Sequence, residues 1–116
     1  MTGMRWGRLQ ADVNCQLRRG AWYRVTQLAS LEAVLDVNRK PVTVPQYMLE
    51  VVSTPPAQWT VVPTPRHAVR LFGAKYAVCP NCRERTRLDG QPRHLRCERC
   101  RGEFEVAWSE GYLAER

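Results

Sequence analysis

The chain has 116 residues and a formal charge of +7, room for one small domain or two very small modules. No apolar run approaches the ~20 residues of a membrane-spanning helix, and the N-terminal stretch carries Arg5, Trp6 and Arg8 with no apolar core of the secretory kind. Sixteen arginines stand against two lysines, Lys40 and Lys75; the codons of a GC-rich genome produce such a bias, and a polyanionic partner exploits it.

Residues 15–63 read as short β-strands. Trp22-Tyr23-Arg24-Val25-Thr26 is rich in the aromatic and β-branched residues that suit a pleated, half-buried surface. Leu31, Ala33, Leu35 and Val37 alternate with Glu32, Val34, Asp36 and Asn38, which predicts a strand with one apolar face. Asn38-Arg39-Lys40-Pro41 is a turn cluster, followed by a strand at Val42–Val44. Pro45–Met48 predicts one helical turn, Leu49–Val52 a strand, and Gln58–Val62 a last strand after Pro55-Pro56. Five short strands with close turns imply an all-β fold, a small barrel or sandwich. The prolines at 55, 56, 63 and 65 punctuate the chain. They divide it into a β-module over 1–65 with an N-terminal extension, a connector over 66–75 with a short helical turn at His67–Leu71, and a second module over 76–116.

The first module resembles an SH3-like small barrel. Gly20-Ala21-Trp22-Tyr23-Arg24-Val25 opens its first strand, and Val42-Thr43-Val44-Pro45 leads through a one-turn helix to Leu49-Glu50-Val51-Val52. An OB-like barrel or an irregular β-meander satisfies the same pattern.

The second module is dominated by Cys79-Pro80-Asn81-Cys82 and Cys97-Glu98-Arg99-Cys100, separated by fourteen residues. Two CxxC pairs at this spacing predict a four-thiolate metal site. Zinc takes four such ligands at tetrahedral corners, and a filled set leaves no position for water or substrate, so the expected metal is structural Zn²⁺. The same thiolates also suit iron. Two disulfides would require an oxidising compartment, and a fifth residue, Cys15, leaves an odd count. Cys15 reads as a buried or partly buried thiol, and His94 is displaced as a ligand by the four sulfurs. Residues 76–109 resemble the zinc-ribbon group: Tyr76-Ala77-Val78 leads into one knuckle and Leu95-Arg96 into the other, with Phe104, Val106 and Trp108 alternating in a strand beyond. Asp89-Gly90 between the pairs is a hairpin signal. Many zinc-ribbon knuckles carry glycine directly after the second cysteine; Arg83 stands there in the first, and Gly102 comes two places after Cys100.

Residues 1–75 carry ten basic and four acidic residues, and residues 76–116 carry eight and seven. The basic surplus is therefore expected in the N-terminal part. Two arginine groups are candidate phosphate contacts: Arg18, Arg19 and Arg24 beside Trp22, whose ring is of the kind that stacks bases, and Arg85, Arg87 and Arg93 on the ribbon. The competing expectation is that aromatics pack in the barrel and that the ribbon arginines offset the metal–thiolate charge and pair with Glu84, Glu98, Glu103 and Glu105. No nucleophile motif, phosphate-cradling glycine loop or paired carboxylates marks an enzyme. These features resemble cytoplasmic, bacterial-type accessory proteins of transcription, translation or DNA processing. Nucleic-acid association is the leading expectation, and a protein–protein adaptor docking on a larger complex is the alternative.

Overall fold

The computed structural model describes residues 3–13 and 15–113 and is all-β. Among these residues ten strands form two five-stranded sheets, and the chain divides into two compact units, Met1–Pro56 and Ala57–Arg116.

The first unit is a curled half-barrel of β1 (Trp6–Leu9), β2 (Tyr23–Leu28), β3 (Glu32–Val37), β4 (Lys40–Pro45) and β5 (Leu49–Val52), in the order β4-β3-β2-β1-β5. A 3₁₀ turn at Gln46–Met48 separates β4 from β5, the one-turn helix expected there. The expected count of five strands holds, but its membership differs. Trp6–Leu9, placed by sequence in an extension, is the strand between β2 and β5, with Leu9 opposite Leu49. Its sequence, Trp-Gly-Arg-Leu, hides the role. Gly7 lets the core close over the backbone: a Cβ there would stand 3.3 Å from Val25 and 3.4 Å from Leu35 and Leu49. Arg8 is only 3% exposed. Its charge is met by Glu50 across the strand pair at 2.7 Å, and its guanidinium lies 4.4 Å from the Trp22 ring. Leu9, Ala33 and Leu35 are fully buried. Asn38 and Arg39 both take left-handed φ, 52° and 69°, as a two-residue hairpin demands; the Asp36 carboxylate accepts the Arg39 N–H at 2.8 Å.

The second unit holds β6 (Gln58–Pro63), β7 (Lys75–Val78), β8 (Arg85–Arg87), β9 (His94–Arg96) and β10 (Glu103–Val106), in the order β8-β7-β6-β10-β9. Here β6 is central, antiparallel to β7 and parallel to β10. It does not close the first barrel. Adjacent residues Trp59 and Thr60 point to opposite faces and both are buried, the mark of a strand covered on both sides. The break between units therefore falls at Pro56, ahead of Pro63 and Pro65.

The segment 66–75 is not a connector: residues 64–74 form the loop of the β6–β7 hairpin and Lys75 opens β7. The Thr64 N–H donates to the Ala74 carbonyl at 3.0 Å, one step beyond the Pro63–Lys75 pair. Within the loop lie a 3₁₀ turn, Arg66–Ala68, and a single helical turn, α1 (Val69–Phe72). Asp89-Gly90 does not fold a hairpin between its flanking strands, because β8 and β9 stand at opposite ends of the strand order. The local hairpins are β7–β8 and β9–β10, each bent around one cysteine pair.

Candidate metal centre

Each CxxC is closed by the same pair of backbone bonds. In the first, Cys79 N–H donates to the Glu84 carbonyl (2.9 Å) and Arg83 N–H to the Cys79 carbonyl (3.1 Å). In the second, Cys97 N–H donates to Gly102 (2.8 Å) and Arg101 N–H to Cys97 (2.9 Å). The residue after each second cysteine is left-handed, Arg83 at φ 67° and Arg101 at φ 68°. The knuckle geometry is thus kept with arginine where glycine is usual, at about 1–2 kcal/mol each. Gly102 serves another need: a Cβ there would lie 2.6 Å from the Phe104 ring, which packs over the knuckle.

The four sulfurs lie within 4.8 Å of one another. Cys79 and Cys100 are 3.7 Å apart, and Cys82 and Cys97 3.5 Å. A regular tetrahedron with metal–sulfur bonds of ~2.3 Å has edges of about 3.8 Å, whereas a disulfide needs ~2.05 Å. All five cysteines are free thiols. Backbone N–H groups of Asn81 and Cys100 approach the sulfurs of Cys79 and Cys97 at 3.4 and 3.5 Å. Beneath the sulfurs, Cys79 and Cys97 join Trp59, Ala77 and Val106 in one buried cluster, lined by Phe104 and Leu95. The Trp59 indole N–H donates to the Leu95 carbonyl at 3.0 Å. This donor set can hold a metal ion, and a tetrahedral S₄ site fits zinc or iron. Four sulfurs are the complete ligand set of a tetrahedral ion, the pattern of structural rather than catalytic zinc sites.

Proton bookkeeping gives a test. Burial pushes the Cys79 thiol up to about 12 and also raises Cys82. Bonds from the Asn81 side chain and the Gly102 N–H bring Cys100 down to about 6. At pH 7 the metal-free site therefore keeps protons on Cys79 and Cys82, and a four-thiolate complex must expel them. Zinc uptake by apoprotein is expected at one ion per chain with release of at least two protons. Apparent affinity should then rise at least about 100-fold per pH unit around neutrality. Calorimetry in buffers of different ionisation enthalpy reads the proton count, and proton-neutral uptake contradicts this site.

The other expected site residues are scattered. Trp22 is buried under Arg8 and offers no face for stacking. Arg19 is bonded to Asp12, and Arg24 stands in register with Asp36 on β3; Arg18 is exposed. Cys15 is exposed and is not one of the clustered four. On the second unit Arg96 lies opposite Glu103, His94 opposite Glu105, and Arg99 is 4.0 Å from Glu84. Arg93 precedes β9, at the far end of the strand order from β8. Arg85 and Arg87 do come together, on β8. Arg85 lies 5.2 Å over the Phe72 ring, and Arg87 passes beside Gly73.

Sequence reasoning passed over the residues around that pair. No acidic residue occurs between Glu50 and Glu84, a stretch holding Arg66, Arg70, Lys75 and Arg83. Arg66, Arg70, Lys75, Arg85 and Arg87 are exposed and make no ion pair among the described residues. With the boundary at Pro56 the first unit has seven basic and four acidic residues and the second eleven and seven. The positive surplus is shared, contrary to expectation. Compared with protein-family models, curated proteins and solved structures, the chain matches none.

Proposed function

We propose that this is a non-catalytic protein whose second unit, built on a structural zinc ion, associates with nucleic acid through the β8 edge and the β6–β7 loop. The observation that carries this reading is a set of five exposed cations on the β6–β7 loop and its two neighbouring strands, Arg66, Arg70, Lys75, Arg85 and Arg87, which make no ion pair among the described residues. Arginine forks on a fixed strand suit phosphate oxygens. Arg85 and Arg87, two residues apart on one strand, present side chains to the same face. The opposite edge, β9, lies against acids on β10 and is less suited to the task.

Salt dependence tests it. Binding to a duplex oligonucleotide should weaken steeply as salt rises, and each phosphate contact removed should lower the log–log slope by about 0.9. Arg85→Ala/Arg87→Ala is expected to lower the slope by nearly two and the affinity more than tenfold at low salt. The Arg18→Ala/Arg19→Ala/Arg24→Ala variant should do less, because Arg19 and Arg24 face Asp12 and Asp36. Filter binding across several salt concentrations reads both. No binding to DNA or RNA at low salt moves the reading to a protein-docking adaptor.

A further inference from the structure

The β6–β7 loop carries something that phosphate contacts do not explain. Leu71 is 73% exposed and Val69 42%, on a short turn ringed by arginines. The turn is firmly mounted. Its neck is closed by the Thr64–Ala74 bond, and its two turns by Ala68 N–H to Pro65 (2.9 Å) and Gly73 N–H to Val69 (2.8 Å). Phe72 anchors it to the sheet, its ring 5.1 Å from Tyr76 on one side and under Arg85 on another. Pro63 and Pro65 stiffen the entry. An aliphatic side chain held out in water on a rigid, cationic projection has a known use: proteins of the minor groove insert Leu, Ile, Phe, Met or Pro between base steps while flanking arginines hold the backbone.

Resting on the nucleic-acid reading above, we infer that the ligand is duplex DNA bound from the minor groove, with Leu71 as a wedge that opens a base step and bends the helix. The loop's sequence, Arg66-His67-Ala68-Val69-Arg70-Leu71-Phe72, supplies both parts, because Arg66 and Arg70 precede Leu71 in the loop while Arg85 and Arg87 on the edge strand reach Phe72 and Gly73 just after it. Single-stranded nucleic acid is less suited. It calls for open aromatic faces, and Phe72, the aromatic at this site, is already covered by Tyr76 and Arg85.

The experiment uses the full zinc-loaded chain and a short duplex labelled at both ends for energy transfer, beside the same strand unpaired. The wild type should shorten the end-to-end distance, consistent with a bend of roughly 20–90°, and prefer duplex over single strand. Leu71→Ala alters an exposed side chain and leaves the fold intact. It should abolish the bend and weaken duplex binding about tenfold, with an unchanged salt slope. Arg85→Ala/Arg87→Ala should instead lower the slope. Salt-sensitive binding without bending, or bending that survives in Leu71→Ala, overturns the wedge and leaves the phosphate reading standing. Absence of any DNA binding, with Leu71-dependent sedimentation on anionic phosphatidylglycerol vesicles, overturns both.

Discussion

Cys97→Ser is expected to unfold the whole second unit, from residue 57 onward, and to leave the first intact. A structural zinc site contributes about 10–16 kcal/mol near neutral pH, whereas a small domain's net stability is about 5–15 kcal/mol. Removing one ligand therefore removes most or all of what keeps the unit folded. Cys97 is fully buried and its sulfur lies 3.5 Å from Cys82, so serine leaves a polar group in the cluster as well as a broken site. The loss should reach β6, far from the cysteines in sequence, because Trp59 packs against Cys79 and Cys97. Amide-resolved NMR of the variant should show residues 58–63 collapsed with the rest of the unit and residues 6–52 dispersed as before. Dispersed signals at 58–63 would return that strand to the first module.

Trp59→Ala should be the most damaging change outside the ligands. The side chain is fully buried, packed on the cysteine cluster, and its N–H satisfies the Leu95 carbonyl. Large-to-small replacement of a core tryptophan costs about 3–5 kcal/mol, and for a unit of this size each kcal/mol lowers the midpoint by about 4–8 °C. The zinc-loaded variant should therefore melt at least 12 °C lower in its second unit. Trp59→Phe keeps most of the ring volume and orphans the carbonyl, a loss of about 1–3 kcal/mol. Thermal melts followed at residues of β7 and β10 separate the two. Equal midpoints for Ala and wild type would mean that the indole is not the floor of the metal site.

The cysteine cluster was legible because a CxxC knuckle is a local device: spacing alone brings Cys79 to Cys82 and Cys97 to Cys100. Strands β2 to β5 were legible for a similar reason, since alternation and turn residues are local. What stayed hidden was pairing. The alternation in Gln58–Val62 announces a strand and says nothing of which sheet receives it. Trp6–Leu9 was missed because a glycine and a buried arginine break the apolar pattern, and its strand character comes from β2 and β5 on either side. The Asp-Gly pair at 89–90 was over-read, since a turn signal fixes chain reversal without choosing partners. The cationic loop was visible as an acid-free run, but its exposure depends on the β6–β7 hairpin, which places it away from the core.

Forty-six residues lie between Gln58 and Glu105, its partner in the parallel pair of β6 and β10. During synthesis the first unit has all five of its strands once Val52 has emerged. The second cannot complete its central pairing until the chain has grown past β10. At about 5–20 residues per second, β6 and its tryptophan wait for several seconds without their final neighbour. The early half of the protein can be finished while the later half is still open to passing chaperones, and the arrival of the last strand, with the metal, sets the moment of maturity.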